Sequence, residues 1–206
     1  MYIPAHFAET DLVILHDFMR QNAFATLVTS QDGVPSANHL PMMLDVSKGT
    51  HGVLVGHMAR NNPQWQTLAT GAPVLAIFQG AHAYISPAWY EKNAMNVPTW
   101  NFMAVHAYGV ARILSENELV QALYQLTDEN EKSSVEPWKL ELTQEMRERM
   151  LGAIVGFEIT LNRVEGKFKM SQNRSQQDQC NIVEKLLKHS HGKEVAHWMS
   201  KALERK

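Results

Sequence analysis

The densest chemistry in this sequence lies in Gly56-His57-Met58-Ala59-Arg60-Asn61-Asn62-Pro63-Gln64-Trp65. A strand ends there, a polar and basic turn follows, and a helix begins. The N–H groups at a helix start are unpaired and carry partial positive charge. Arg60 adds a planar fork suited to phosphate. Together these describe an anion site; the alternative is an ordinary capped helix with a solvated arginine. A second segment, Asn38-His39-Leu40-Pro41, places proline in a strand. That frees neighbouring backbone groups from the ladder, and freed amides and carbonyls can read the edge of a flat heterocycle. Its alternative is an edge strand protected against aggregation.

Two further segments bear on ligand binding. Pro98-Thr99-Trp100-Asn101-Phe102, followed by Val105-His106, pairs an indole with an amide, a combination for an aromatic ligand with a polar edge. A core tryptophan beside a satisfied asparagine is the competing reading. Lys167-Phe168-Lys169-Met170-Ser171-Gln172-Asn173-Arg174 offers cations and hydrogen-bonding side chains that could close over an anion, or simply a solvated loop. His57 and His106 ordinarily titrate near neutrality, as a catalytic acid or base would, although a core histidine is the commoner case. No catalytic acid or base stands out, so enzymatic activity is left open.

Other chemistries are absent. The chain has no G-x-x-x-x-G-K-[ST] loop, no strand-linked G-x-G-x-x-G, no H-E-x-x-H, no cysteine cluster and no G-x-S-x-G. Its single cysteine, Cys180, lies in a polar segment and permits no intrachain disulfide. His189, His191 and His197 gather near the C-terminus among lysines but without a fixed ligand spacing, so no metal is expected. A formal charge of -2 gives no general attraction to nucleic acid. The sequence begins without a basic, apolar leader, and its longest early apolar run, Leu12 to Leu15, is too short to cross a membrane. A cytoplasmic location is the expectation.

These segments need a scaffold. Apolar residues form 45% and charged residues 19% of the 206 positions, ordinary for a folded domain. Thr10 is expected to cap a first helix through Leu12, Leu15, Phe18 and Met19. Strands follow at Phe24 to Thr29, Val34 to Leu44 and Gly52 to His57, with a turn at Gln31-Asp32-Gly33. A helix opens at Asn61-Asn62-Pro63. Ala72 to Phe78 reads as a strand buried on both faces, Tyr84 to Tyr90 as a loop, and Val97 to Leu114 as a long strand. Ser115-Glu116-Asn117-Glu118 is a capping box, and Thr143 begins another helix. Ile154 to Phe168 returns to strand, with Gly166 as a turn or bulge. Ser171 to Gln179 reads as a loop, and a last helix starts near Asn181. Short connections imply a largely antiparallel sheet, and a closed barrel with peripheral helices fits best.

In their order along the chain, the segments resemble one family. Met1-Tyr2-Ile3-Pro4, His39-Leu40-Pro41, Gly56 to Pro63, Tyr84-Ile85-Ser86-Pro87-Ala88-Trp89-Tyr90, Val97 to Phe102 with Val105-His106, and Lys169-Met170-Ser171-Gln172-Asn173 resemble the PaiB family, FMN-binding negative transcriptional regulators. The resemblance implies an FMN-binding split β-barrel, mostly β with peripheral helices, over residues 1–180, with a helical extension at 181–206. It implies a homodimer with flavin in a cleft between subunits. By that analogy Asn38, His39, Leu40 and Pro41 face the isoalloxazine ring, Ala59, Arg60 and Asn61 sit at the phosphate, and His57 is a further cofactor-binding residue. Trp100 and Asn101 line the cleft, and Lys169, Gln172 and Asn173 close it. A redox or small-ligand sensor is the leading function. The alternatives are an FMN-dependent oxidoreductase of the pyridoxamine-phosphate-oxidase type, a haem-binding split barrel using His57 or a C-terminal histidine, and direct DNA binding.

Overall fold

The structure, a computed structural model, describes residues 1–91, 96–189 and 192–204. His191 of the C-terminal histidine group falls outside them. The chain forms two compact units. Met19–Phe78 and Ala107–Val164 make one; Met1–Phe18, Gln79–His106 and Glu165–Lys206 make the other.

The first of these is a barrel. After helix α1 (Leu12–Gln21), strand β2 (Phe24–Gln31) turns back into β3 (Val34–Pro41), and β1 is the two-residue Ala8–Glu9. The turn residues Asp32 and Gly33 both have positive φ, 52° and 78°. That is the two-residue hairpin conformation that Asp-Gly favours, and it sets the register Gln31 opposite Val34. The strand expected over Val34 to Leu44 is two strands, because buried Met42 leaves the ladder between β3 and β4 (Met43–Asp45). β5 (Val53–Ala59), β6 (Pro73–Ile85), β7 (Thr99–Ile113) and β8 (Ile154–Lys169) complete the sheet in the order β3-β2-β6-β7-β8-β5-β4. The two ends of that order, β3 and β4, are one residue apart in sequence. One bent segment therefore serves both edges, and the sheet closes on itself. At the bend the carbonyl of Pro41 lies 3.4 Å from where a side chain on Gly56 would begin. The fold is the expected one, a mostly antiparallel β-barrel with peripheral helices.

Helix α2 (Gln64–Ala69) follows β5, and α3 (Glu116–Glu131) follows β7. The Ser115–Glu118 capping box is present in both directions. It starts α3 so that Leu119, Ala122, Leu123 and Leu126 are buried; Ala122 packs with Val53 and Val55 of β5. Helix α4 (Gln144–Ala153) begins at the Thr143 cap.

The other unit holds the last parts of β6 and β8 and the first part of β7, with β1 paired to β8 through Ala8 opposite Lys167 and Glu9 opposite Gly166. Helices α5 (Gln176–Leu187) and α6 (Lys193–Glu204) complete it. Phe18, Phe168 and Trp198 form an aromatic cluster, with ring centroids 5.1–6.4 Å apart.

Several local expectations are corrected. Asp11, not Thr10, caps α1, its carboxylate accepting from Val13 N–H at 2.9 Å. β6 alternates buried and half-buried positions from Val74 to Phe78 and continues through Ile85, so it is neither buried on both faces nor a loop from Tyr84. Gly166 is no turn: β8 runs through it, and a Cβ there would meet Leu15 at 2.3 Å. A glycine is needed for the close approach of β1 and α1. The last helical region begins at Gln176, because Ser175 caps it by accepting from Asp178 N–H.

Candidate functional site

In the barrel unit, β3 is an edge strand with exposed or half-exposed side chains along its whole length. His39 is exposed, with Nδ1 3.0 Å from Thr26 Oγ1 and its ring stacked on Phe24 at 6.2 Å. Leu40 is half-buried and Pro41 exposed. Asn38 is held from below. Its Nδ2 donates to Gln64 Oε1 at 3.0 Å. Gln64 is only 4% exposed, and its own amide donates to Leu27 O at 3.0 Å, Thr29 Oγ1 at 3.2 Å and Ser36 O at 3.3 Å. A buried amide with all its partners fixes one rotamer. Gln64 thus fixes which way Asn38 presents its remaining carbonyl oxygen. The sequence reading missed Gln64. Its only signal was a polar residue on the inner side of a short helix otherwise carrying Leu68.

The turn after β5 is built differently from the phosphate site expected of it. Asn62 caps α2, its Oδ1 accepting from Gln64 N–H at 3.1 Å. Ala59 and Asn61 are exposed. Arg60 turns its guanidinium to the end of α4: Nε donates to Gly152 O at 2.9 Å, and Nη2 donates to Leu151 O and Ile154 O at 3.0 Å each. Its backbone N–H donates to Ala153 O. Carbonyls at a helix C-terminus have no partners within the helix, and a guanidinium suits them by shape and by dipole. Three of the five N–H donors of Arg60 are committed to the fold. Arg60→Ala is accordingly expected to lower stability by about 1–2 kcal/mol while changing flavin affinity less than threefold; thermal denaturation and FMN titration of the variant check both. A tenfold loss of FMN affinity without loss of stability would restore Arg60 as the phosphate ligand.

His57, on β5, is mostly buried, and burial pushes its imidazole below the ordinary value of 6.5. Its Nδ1 is sealed from solvent and has no hydrogen-bond partner among the described residues. His106, in the other unit, is lowered chiefly by burial and further by the N-terminal amine. A histidine held neutral in the folded state takes up a proton more readily when unfolded. Stability is therefore full above pH 6.5 and falls as the pH drops from there toward the folded-state value. The melting temperature is expected to decline between pH 7 and 5. The decline should be shallower in His57→Leu, and equal slopes would remove His57 as a cause.

The remaining expected residues lie in the other unit. Asn101 is fully buried. Its Nδ2 donates to Ser171 Oγ at 2.9 Å, Ser171 Oγ lies 3.1 Å from its Oδ1, and Met199 S lies 3.4 Å from the same amide nitrogen. Ser171 is itself 3% exposed and takes a left-handed φ of 61°. Asn101 is thus a core asparagine bonded within the unit. Gln172 closes the turn after β8, accepting from Met170 N–H and donating to Phe168 O, and Asn173 is exposed. Lys169 bonds to Thr99 Oγ1 and lies over the Phe7 ring at 5.9 Å. Burial, followed by the nearby charges of Lys167 and Arg174, pulls its ammonium below the ordinary lysine value. Trp100 sits on the exposed face of β7 against His82 and Tyr84.

Neighbouring proteins share this architecture. The structure superposes with a TM-score of 0.63 on the FAD and heme binding protein of Mycobacterium smegmatis, at 15% identity, covering 84% of this chain and 78% of that one. The flavocytochrome Anf3 of Azotobacter vinelandii gives the same TM-score at 12% identity, covering 87% and 78%. At such identities the likeness is one of fold, the split barrel. In sequence, the chain is 41% identical to the protease synthase and sporulation protein PAI 2 of Bacillus subtilis over 188 residues, 90% of this chain and 89% of the relative. Residues 1–163 match the family described as "Putative FMN-binding domain". No helix among the described residues is long and apolar enough to cross a membrane. With the order of motifs, the closed barrel and these matches in agreement, the chain belongs to the PaiB-type family of FMN-binding split-barrel domains, and its cofactor is a flavin.

Proposed function

We propose that this protein binds FMN as a homodimer and serves in negative transcriptional regulation, sensing redox state or a small ligand. The observation that carries the flavin reading is the displayed polar edge of β3, with Asn38 locked by the buried Gln64 amide, in a chain of the FMN-binding family. The donor set fits the group. A flavin ring edge alternates hydrogen-bond donors and acceptors, and a fixed Asn38 carbonyl oxygen with the His39 imidazole supplies matching partners. When bound, the flavin supplies hydride or single-electron chemistry, and the protein supplies position and field. The regulatory role rests on the resemblance to a family of negative regulators, and the homodimer on its cleft shared between subunits.

The absorbance spectrum of the purified protein tests the reading. Two broad flavin bands, with FMN released on heating, are expected. A colourless protein that takes up no added FMN sinks the proposal, and a sharp Soret band puts haem in its place. Fluorescence anisotropy with candidate operator DNA over a salt series then separates direct DNA binding from regulation through a partner.

A further inference from the structure

A cleft in the unit formed by Met1–Phe18, Gln79–His106 and Glu165–Lys206 is walled by aromatic rings. It encloses about 400 Å³ and is lined by His82, Tyr84, Trp89, Trp100, Leu186 and His189, among others. On one side, Trp100 lies 6.0 Å from the His82 ring and 5.9 Å from Tyr84. On the other, Trp89 and His189 are stacked at 5.9 Å and 21°. Trp100 is 53% exposed and Tyr84 47%. Large rings left open to water around one cavity mark a surface made for contact.

The chemistry of the lining narrows what fits. No described residue on it is an aspartate, glutamate, lysine or arginine. A charged ring would find no ionic partner among them. Indole faces are electron-rich and favour stacking against an electron-poor ring. The two imidazoles bring ring N–H donors, which pair with carbonyl oxygens. The volume is that of a small-molecule site. We propose that this cleft binds an uncharged, flat, carbonyl-bearing ring of the quinone class, stacked by its tryptophans and hydrogen-bonded by His82 or His189. This site goes beyond flavin binding and stands without it.

Tetramethyl-1,4-benzoquinone is the probe, because it has no ring position at which the exposed Cys180 thiol would readily add. Equilibrium dialysis of the purified protein is expected to show saturable binding at one site per chain, with benzoate, a charged ring of similar size, at least about tenfold weaker. Trp89→Leu and the more conservative surface change His189→Leu should each weaken the quinone by about tenfold, some 1.4 kcal/mol. Flavin content and oligomeric state, measured on the same samples, should match the parent protein. A preparation that takes up no added FMN yet still binds the quinone keeps this inference while removing the flavin reading. The inference is overturned by absent saturation, by equal affinity in both variants, or by displacement of the quinone with FMN. Conversion of the variants to a smaller assembly would overturn it too, since the cleft would then be covered by a second copy of the chain.

Discussion

Gly109→Ala is expected to lower the melting temperature by roughly 6–12 °C, about 3 kcal/mol, the upper range for forcing atoms into a packed interior. The added Cβ would lie 2.3 Å from the carbonyl oxygen of Thr160, 2.8 Å from Ile159 Cγ2 and 3.0 Å from the Thr160 carbonyl carbon. Two of these three neighbours are backbone atoms of β8, which cannot rotate aside as a side-chain tip would. Relief requires β7 and β8 to separate, and both are interior strands of the sheet, held on their far sides by β6 and β5. Gly152→Ala is the control. A side chain there meets nothing within 4 Å, and alanine is the better helix former by up to about 1 kcal/mol. Thermal unfolding of the two variants should move in opposite directions; an unshifted Gly109→Ala would mean that the strands can part at little cost.

Gln64→Leu is the second large effect and reaches function as well as stability. The volume is nearly kept while the amide is lost. Leu27 O, Thr29 Oγ1 and Ser36 O lose a donor, and Asn38 Nδ2 loses its acceptor. Orphaned buried groups cost about 1–3 kcal/mol each, and partial access of water to the Ser36 and Asn38 end brings the total to about 2–4 kcal/mol. The Asn38 side chain, no longer anchored, would turn freely on the exposed edge. If β3 meets the flavin ring, bound FMN should fall along with stability. Flavin stoichiometry measured well below the melting temperature separates the two: a destabilised variant that holds its full complement of FMN would leave Gln64 a core residue and nothing more.

The acidic side of this molecule behaves differently from its histidines. Arg112 bridges Glu118 and Glu158 at 2.7 Å each, and the Glu118 carboxyl falls to about 2, first through Arg112 and then through the Ser115 N–H. A carboxyl with a depressed folded value supports the fold above its ordinary range and loses that support only as the pH falls toward 2. Loss of stability between pH 7 and 5 therefore belongs to His57 and His106, not to this cluster. Its charges are exposed, so salt weakens it.

What the sequence determined by itself was local and periodic. The turn at Gln31-Asp32-Gly33, the Ser115–Glu118 box and the Thr143 helix start depend on neighbours a few residues away, and each appears in the structure as read. The family was legible too, because the order of its motifs survives without knowledge of any contact. Tertiary structure decided the rest, because the deciding atoms come from far along the chain. Arg60 has the composition of a phosphate ligand, yet carbonyls more than 90 residues away claim its guanidinium. Asn101 looked like a cleft residue, yet Ser171 and Met199 hold it in the core. Gly166 read as a turn or bulge, yet the strand runs through it and the nearness of Leu15 and Glu9 is what calls for a glycine. Gln64 stood in the Gly56–Trp65 segment with no role of its own, and only the convergence of β2, β3 and α2 on its amide shows what it does.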